Sequence, residues 1–288
     1  MKDDTAIQNL CLHTHNFFCD GKQDINTLIK NAVLQNVTQI GISSHAPIKI
    51  ENKWSMSLDN IDNYVFEISE ARKKYGSKIE IFTSLEIDYI PEISYPFDFF
   101  RNKMKLDYTI GSIHLVSHPE TKELWFIDGP KDECVENMTR IFGDNVQFAV
   151  ECFFAQTREM IRSQKPDIIG HMDKVVMNTG HLFDHNTLWY QNEIAETLKE
   201  IKKHGIIVEA NTRGLYKGKW DDTFPSRSIL QQCYEMDIPV TISSDAHHSS
   251  ELLLSYDKVK RELREIGFKY IQGRKNKKWG NFPIIKTF

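Results

Sequence analysis

The sequence predicts an α/β chain in which short strands alternate with helices around a parallel sheet, folded as one barrel-sized domain over 1–288. Runs rich in Ile, Val and Thr alternate with longer segments of helical period, the pattern of βα units. The length of 288 residues suits two average domains or one large α/β barrel. No low-complexity linker or further repeat divides it, which favours the single domain. Strand after strand also ends in a histidine or an acid, as expected where strand ends build an active site.

The first strand runs over about 9–15 and feeds a helix from near Asp24, with Ile25, Leu28, Ile29, Ala32 and Val33 on one face. The second strand, 38–43, leads to Ser44-His45, and a helix over about 58–75 closes at Gly76, a favoured C-terminal cap. The third strand, 78 to about 87, ends at Glu86-Ile87-Asp88; the fourth, 108–113, ends at His114. Pro119, Gly129 and Pro130 break the rhythm over about 117–131, which reads as a long loop near the strand ends, a place where specificity is often carried. Helices fill about 131–164. The fifth strand, 168–170, ends at His171, and a helix over about 186–203 stops at Gly205. The sixth strand, 206–211, carries Glu209 and Asn211, and the next helix begins near Ser226. The seventh, 239–244, leads to Asp245-Ala246-His247. A last helix, about 250–266, precedes a basic tail (about 268–288) that shows no secondary-structure signal.

Composition bounds the partners. Apolar residues make up 40% and charged residues 26%, ordinary for a soluble globular protein. The net charge of −4 argues against a broad nucleic-acid surface, so any phosphate site must be made positive locally. The short basic run Arg274–Lys278 reads as a solvated terminus. The five cysteines form no CxxC pair, which points to a reducing compartment rather than a disulfide framework or thiolate zinc site. Met1–Thr5 lacks an apolar signal core, and no run approaches the roughly 18 apolar residues of a membrane span. The expectation is a cytoplasmic protein without membrane contact.

The chemistry lies at the strand ends. His13 and His15 share one face of an extended strand, and the Asp20-Gly21 turn lets a carboxylate return toward them. His45, Glu86, His114, His171, Glu209/Asn211 and Asp245/His247 follow at the other ends, so six of the eleven histidines sit there. The remaining five, His118, His181, His185, His204 and His248, lie in loops or helices. Burying so many unpaired polar groups together is unfavourable unless cations offset it. Mixed nitrogen and oxygen ligands suit zinc, manganese or iron. With about nine potential ligands, two or three divalent ions fit better than one.

The motifs His13-Thr14-His15 with Asp20-Gly21, Gly41–Pro47, Ser84–Pro91, Gly111–His114, Gly170–Asp173, Glu209–Thr212 and Ser243–His247 occur in one order over about 13–247. In them the chain resembles the PHP (polymerase and histidinol phosphatase) superfamily, and within it the monofunctional histidinol-phosphatases. The resemblance implies a distorted (β/α)7 TIM-like barrel with a trinuclear metal site. It implies that His13, His15, Glu86 and Asp245 hold one ion and that Glu86 bridges to a second held by His114 and His171. Asp20, His45 and His247 would hold the third. It further implies hydrolysis of L-histidinol phosphate, a step of histidine biosynthesis, with a hydroxide bridging the ions as nucleophile and no phospho-enzyme.

The expected substrate is a small phosphate ester, and one or more arginines should help neutralise its phosphoryl oxygens. Arg213, two residues past Asn211, is the first candidate, with Lys217 and Arg158 behind it. Asp245 and His247 are candidate proton carriers for the leaving group, alongside a water on the ions. Asp88, Tyr89 and Glu92 are candidates to receive the cationic amine and imidazole of histidinol phosphate. Competing expectations are another PHP phosphoesterase acting on nucleotides, oligonucleotide ends or phosphotyrosine, and a non-catalytic metal-binding regulator. An amidohydrolase-like barrel also begins with His-x-His, but has eight units and often a bridging lysine, against seven units and Glu86 here.

Overall fold

The computed structural model describes residues 9–284. The strands are β1 (Asn9–Cys11), β2 (Val37–Ile42), β3 (Glu80–Thr83), β4 (Glu86–Asp88), β5 (Ile110–Ser112), β6 (Leu115–Ser117), β7 (Leu124–Phe126), β8 (Ile168–Ile169), β9 (Ile207–Asn211), β10 (Val240–Ser243), β11 (Tyr270–Lys275) and β12 (Lys278–Pro283). The helices are α1 (Ile25–Leu34), α2 (Ile61–Tyr75), α3 (Phe97–Met104), α4 (Lys131–Phe142), α5 (Val146–Gln164), α6 (Val176–Thr179), α7 (Leu188–His204), α8 (Arg213–Lys217), α9 (Arg227–Glu235) and α10 (Tyr256–Ile266).

The fold is α/β with two parallel sheets, ordered β1-β2-β3 and β10-β9-β8-β5-β4. Crossover helices connect the parallel strands, as parallel pairing requires. The sheets meet at both edges. Thr14 pairs with Ala246 in parallel, and the His15 amide donates to the Ala246 carbonyl at 2.8 Å. His45 pairs with Glu86, and the Ala46 amide donates to the Glu86 carbonyl at 2.8 Å. Because the strands run the same way, their C-terminal ends share one rim.

Helix α1 shows how the crossovers dock. Asp24 caps it, its carboxylate accepting from the Thr27 amide at 2.8 Å, and Ile25, Leu28, Ile29 and Ala32 form the buried stripe. Between the sheets, a side chain at Gly41 would overlap the Tyr108 hydroxyl, which donates to the Leu12 carbonyl. Only glycine leaves room for that bond.

Several expectations are revised. The third strand is two pieces because the chain changes sheets at Ser84-Leu85: the Ser84 amide still donates to the Ile42 carbonyl at 2.9 Å, while the Leu85 carbonyl already accepts from the Ile110 amide at 3.0 Å. Helix α3 goes unannounced by the sequence, being only eight residues long, though Phe97, Phe100 and Met104 form its buried face. The stretch expected as a loop over 117–131 contributes to an antiparallel hairpin, β6–β7, anchored by the fully buried Trp125.

The tail is also ordered. Strands β11 and β12 form an antiparallel hairpin whose turn places Asn276 and Lys277 at φ 53° and 64°, as a tight two-residue hairpin turn demands. The Arg274 amide donates to Gln39 Oε1 at 3.0 Å, and Thr241 Oγ1 donates to the Gln272 carbonyl at 2.9 Å, tying the hairpin to both sheets. Met1–Thr5 and the end of the tail, 285–288, lie outside the described residues. All five cysteines are free, and no described helix is long and apolar enough to cross a membrane.

Candidate metal centre

Beyond β1 the chain remains extended, so alternate side chains face opposite sides. Thr14 turns toward the sheet, where its hydroxyl donates to the Gly41 carbonyl at 2.7 Å and its amide to Ser43 Oγ at 3.0 Å. His13 and His15 are thereby turned inward together, with ring centroids 5.1 Å apart. Gly21 lies against the backbone of His15 and Asn16, where any Cβ would collide, and this close approach returns Asp20 to the rim. His171 and Asp245, both just past strand ends, have φ of 25° and 52°. Such strained backbone persists only where the surroundings enforce it, and it concentrates at functional sites.

Glu86 occupies the middle. Its Oε2 lies 3.1 Å from His13 Nε2, 3.4 Å from His15 Nε2 and 3.2 Å from His45 Nδ1. Its Oε1 lies 2.9 Å from His171 Nε2 and 3.8 Å from His114 Nε2, and accepts from the Ser112 hydroxyl at 2.6 Å. Asp245 Oδ1 stands 3.0 Å from His15 Nε2 and 3.9 Å from His13 Nε2. Asp20 Oδ2 stands 3.2 Å from His247 Nε2, and its Oδ1 lies 3.9 Å from both His15 Nδ1 and His45 Nε2.

Ligand atoms gather within 4.8 Å of one another in the groups His13/His15/Asp245, Glu86/His114/His171, His15/Asp20/His45/His247 and His45/Asp88/His114. The structure thus brings together all nine residues expected as ligands. Whether cations fit can be judged from the donors. His13 Nε2, His15 Nε2, His45 Nδ1, Glu86 Oε2 and Asp20 Oδ1 are buried without a hydrogen-bond partner. Orphaned buried lone pairs are unfavourable singly, and five facing one another suit divalent ions with nitrogen and oxygen ligands.

A second set of side chains orients these ligands, a role the sequence did not suggest: it offered Glu209 as one more strand-end group and Asp88 as a receiver of the substrate's amine. Glu209 Oε1 lies 2.7 Å from His13 Nδ1, while its Oε2 accepts from the His171 amide at 3.0 Å and from Asn211 Nδ2 at 3.0 Å. Asp88 Oδ1 lies 2.7 Å from His114 Nδ1. Each carboxylate holds a proton on Nδ1 and leaves Nε2 as the inward lone pair, the usual support of a metal-binding histidine. Carboxyl groups at i and i+2 of one strand face, Glu86 and Asp88, were the available signal. Replacing Glu209 with glutamine is expected to weaken metal binding by roughly 10–100-fold, read as the free-ion concentration needed for half loading.

The electrostatics favour cations. Burial pushes the Glu86 and Asp245 carboxyls upward, yet the facing histidines, and Arg213 beside Asp245, hold both well below the ordinary range. Burial lowers His13 and His114, but Glu209 and Glu86 raise the first well above its ordinary value, and Asp88 brings the second to about 9. His15, His45 and His171 are all lowered, chiefly by burial. The rim is a buried excess of negative charge that attracts either protons or metal ions.

A cavity of about 210 Å³ opens over the cluster, lined by Asp20, His171, Asp245, Arg213, Lys174 and Phe126 among others. The Arg213 guanidinium donates to the Asp245 carbonyl at 2.7 Å and lies 2.9 Å from His247 Nδ1. Lys217 stands one step back, paired with Glu251 at 2.5 Å. Arg158 is not brought to the site: it is held between helices α5 and α7 by Glu193 at 2.6 Å. Of the acids and aromatics expected to receive the substrate's amine, Asp88 is occupied by His114, Tyr89 donates to Glu159, and Glu92 is exposed. The cavity instead offers Asp128, paired with Lys174 at 2.7 Å, and Phe126; Phe126 and Asp128 come from a stretch without a recognisable motif.

Known proteins resemble this chain in sequence and in fold. The histidinol-phosphatase of Bacillus subtilis is 23% identical, covering 85% of this chain and 96% of its own. That of Saccharomyces cerevisiae is 20% identical, covering 88% and 87%. The histidinol phosphate phosphatase of Lactococcus lactis, solved in complex with zinc, L-histidinol and phosphate, superposes with a TM-score of 0.70 at 17% identity over 96% of this chain and all of that one, a likeness of fold. The sequence model of the PHP domain matches residues 11–213. The chain belongs to the PHP domain family.

Proposed function

We propose that this protein is a metal-dependent phosphomonoesterase that hydrolyses L-histidinol phosphate to L-histidinol and phosphate, as its curated relatives are named for doing. The observation that carries the chemistry is the set of five buried, unpartnered ligand atoms around Glu86. The relatives' names, the PHP domain match and the zinc in the Lactococcus lactis structure supply the substrate and the metal class. Three ions are favoured: one with His13, His15, Glu86 and Asp245, a second with Glu86, His114 and His171, and a third with Asp20, His45 and His247. The edge pairings Thr14–Ala246 and His45–Glu86 support closure of the two sheets into a single distorted (β/α)7 barrel. The free cysteines suit the reducing cytoplasm expected for it.

Divalent ions at such a site polarise phosphoryl oxygens and lower the pKa of water, which the slow hydrolysis of phosphate monoesters requires. The chain's own residues do the rest. Arg213 faces the cavity beside Asp245 and neutralises phosphoryl oxygens that the ions do not reach. Glu209 and Asp88 keep the His13 and His114 rings oriented. His247 lies with Nδ1 2.9 Å from the Arg213 guanidinium, which can only donate, and with Nε2 3.2 Å from Asp20 at the rim, so that Asp245 and His247 border the place where the leaving oxygen takes up its proton.

A panel tests the reading: phosphate release from histidinol phosphate, p-nitrophenyl phosphate, a nucleoside monophosphate, phosphotyrosine and a dinucleotide, with zinc, manganese or iron supplied. The expected result is a kcat/KM for histidinol phosphate well above the others. Greater activity on a nucleotide or on phosphotyrosine would assign the site to another PHP phosphoesterase, and no release from any ester would make it a binding protein.

A further inference from the structure

Lys174 and Asp128 form an ion pair whose position the fold alone does not explain. Lys174 follows His171 in the turn after β8, is 3% exposed, and reaches into the cavity instead of outward. Its Nζ lies 2.7 Å from Asp128 Oδ2 and 3.4 Å from His114 Nε2. Asp128 arrives from the opposite direction, just past β7, with its side chain 27% exposed. From the inside outward the cavity therefore presents His114, then a positive charge, then a negative one. A buried ion pair contributes little net stability, because desolvation offsets the attraction, and packed apolar side chains would join these segments as well. What apolar side chains would lack is two opposite charges fixed side by side next to the cation site.

We propose that this pair selects phosphate esters carrying an amine on the carbon next to the ester carbon: Lys174 takes a phosphoryl oxygen and Asp128 takes the ammonium. The inference rests on the phosphomonoesterase reading above. In that reading His114 Nε2 serves an ion, so the Lys174 ammonium is left facing the phosphate. Binding is then an exchange of partners. One Lys–Asp pair becomes a Lys–phosphate pair and an Asp–ammonium pair, and no buried charge is stranded. In such an ester the ammonium and the phosphoester oxygen sit on neighbouring carbons, so one small molecule carries the two opposite charges close together. Lys174 Nζ and Asp128 Oδ2 stand 2.7 Å apart, near enough for one such ester to meet both. An ester without the amine must pull Lys174 away from Asp128 and leave the carboxylate unpartnered, and that penalty is the source of the selectivity. Phe126, stacked on Trp54 with centroids 5.7 Å apart, lines the same cavity as an apolar wall.

The test uses two matched pairs of esters on the metal-loaded protein: histidinol phosphate against its des-amino analogue, and O-phosphoethanolamine against ethyl phosphate. The readout is the ratio of kcat/KM within each pair, which is internal to each sample and survives partial loss of folded or loaded protein. Wild type is expected to prefer the amine by roughly tenfold or more, and Asp128→Asn and Asp128→Ala to bring the ratio toward one. Lys174→Met, made in the Asp128→Asn background so that no carboxylate is stranded, is expected to lower kcat/KM on all four esters by roughly tenfold or more while metal content per chain stays the same. A wild-type ratio near one in both pairs, or a ratio that Asp128→Asn leaves in place, would overturn the proposal. If histidinol phosphate and its analogue are not hydrolysed at all, the proposed substrate fails, and the phosphoethanolamine pair still decides the role of Asp128.

Discussion

Replacing Glu86 with alanine is expected to lower kcat/KM for phosphate release by at least ~10³-fold, because metal ions supply several kcal/mol of transition-state charge stabilisation and each 1.4 kcal/mol is tenfold in rate. Glu86 turns its two oxygens to two different groups of histidines, His13, His15 and His45 on one side and His114 and His171 on the other. In the proposed trinuclear site its loss would remove the ligand shared by two ions. Metal content per chain should therefore fall together with activity. The folded state should survive, since the hydrophobic core lies outside the rim and the Glu86 main-chain bonds to Ala46 and Ser43 remain. Full metal loading of a folded, active Glu86→Ala protein would remove Glu86 from the bridging position.

Replacing Arg213 with methionine separates binding of phosphate from binding of metal. The guanidinium is anchored by the Asp245 carbonyl and sits beside His247, so it is positioned before substrate arrives. Burial works against its charge, but Asp245, Tyr216 and Asp128 raise its pKa, and it stays protonated throughout the working range. The expected loss is roughly 10²- to 10³-fold in kcat/KM, the effect of removing a charged donor to a developing oxyanion. Metal content should stay at the wild-type level, because Arg213 supplies no lone pair. Lysine at this position should restore only part of the loss, as it cannot offer two parallel donors. An unchanged kcat/KM in Arg213→Met would take the residue out of the phosphate site.

The inward face of the site was legible in the sequence, whereas its outer wall was not, and the reason is physical. Metal ligands are restricted to a few residue types, and a parallel sheet delivers them at strand ends, so His13, His15, His45, Glu86, His114, His171, Asp245 and His247 stand out by type and position together. Asp20 was legible through Gly21, whose close approach to the Asn16 backbone only glycine permits. The supporting acids carry no such mark. Glu209 was visible at a strand end, but its contact with His13 Nδ1 joins residues 196 positions apart and depends on the sheet order. Lys174 and Asp128 come from a turn and a post-hairpin segment whose placement follows from tertiary packing alone. Arg158 illustrates the reverse error: a helical arginine that the packing of α5 on α7 uses as a tie to Glu193. The tail hairpin was missed because Asn276-Lys277 replaces the usual Asn-Gly turn signal, with Lys277 held at φ 64° by the tight turn.

Cations held by the histidine and carboxylate rim should be indispensable for hydrolysis of histidinol phosphate. Stripping the protein with a chelator, adding back zinc, manganese or iron in measured equivalents, and following phosphate release from histidinol phosphate against metal bound per chain measures that dependence. The stripped protein is expected to release no phosphate, and activity to rise with loading and level off at two to three ions per chain. Full activity in the stripped protein, or a fully loaded protein that releases no phosphate, would contradict it.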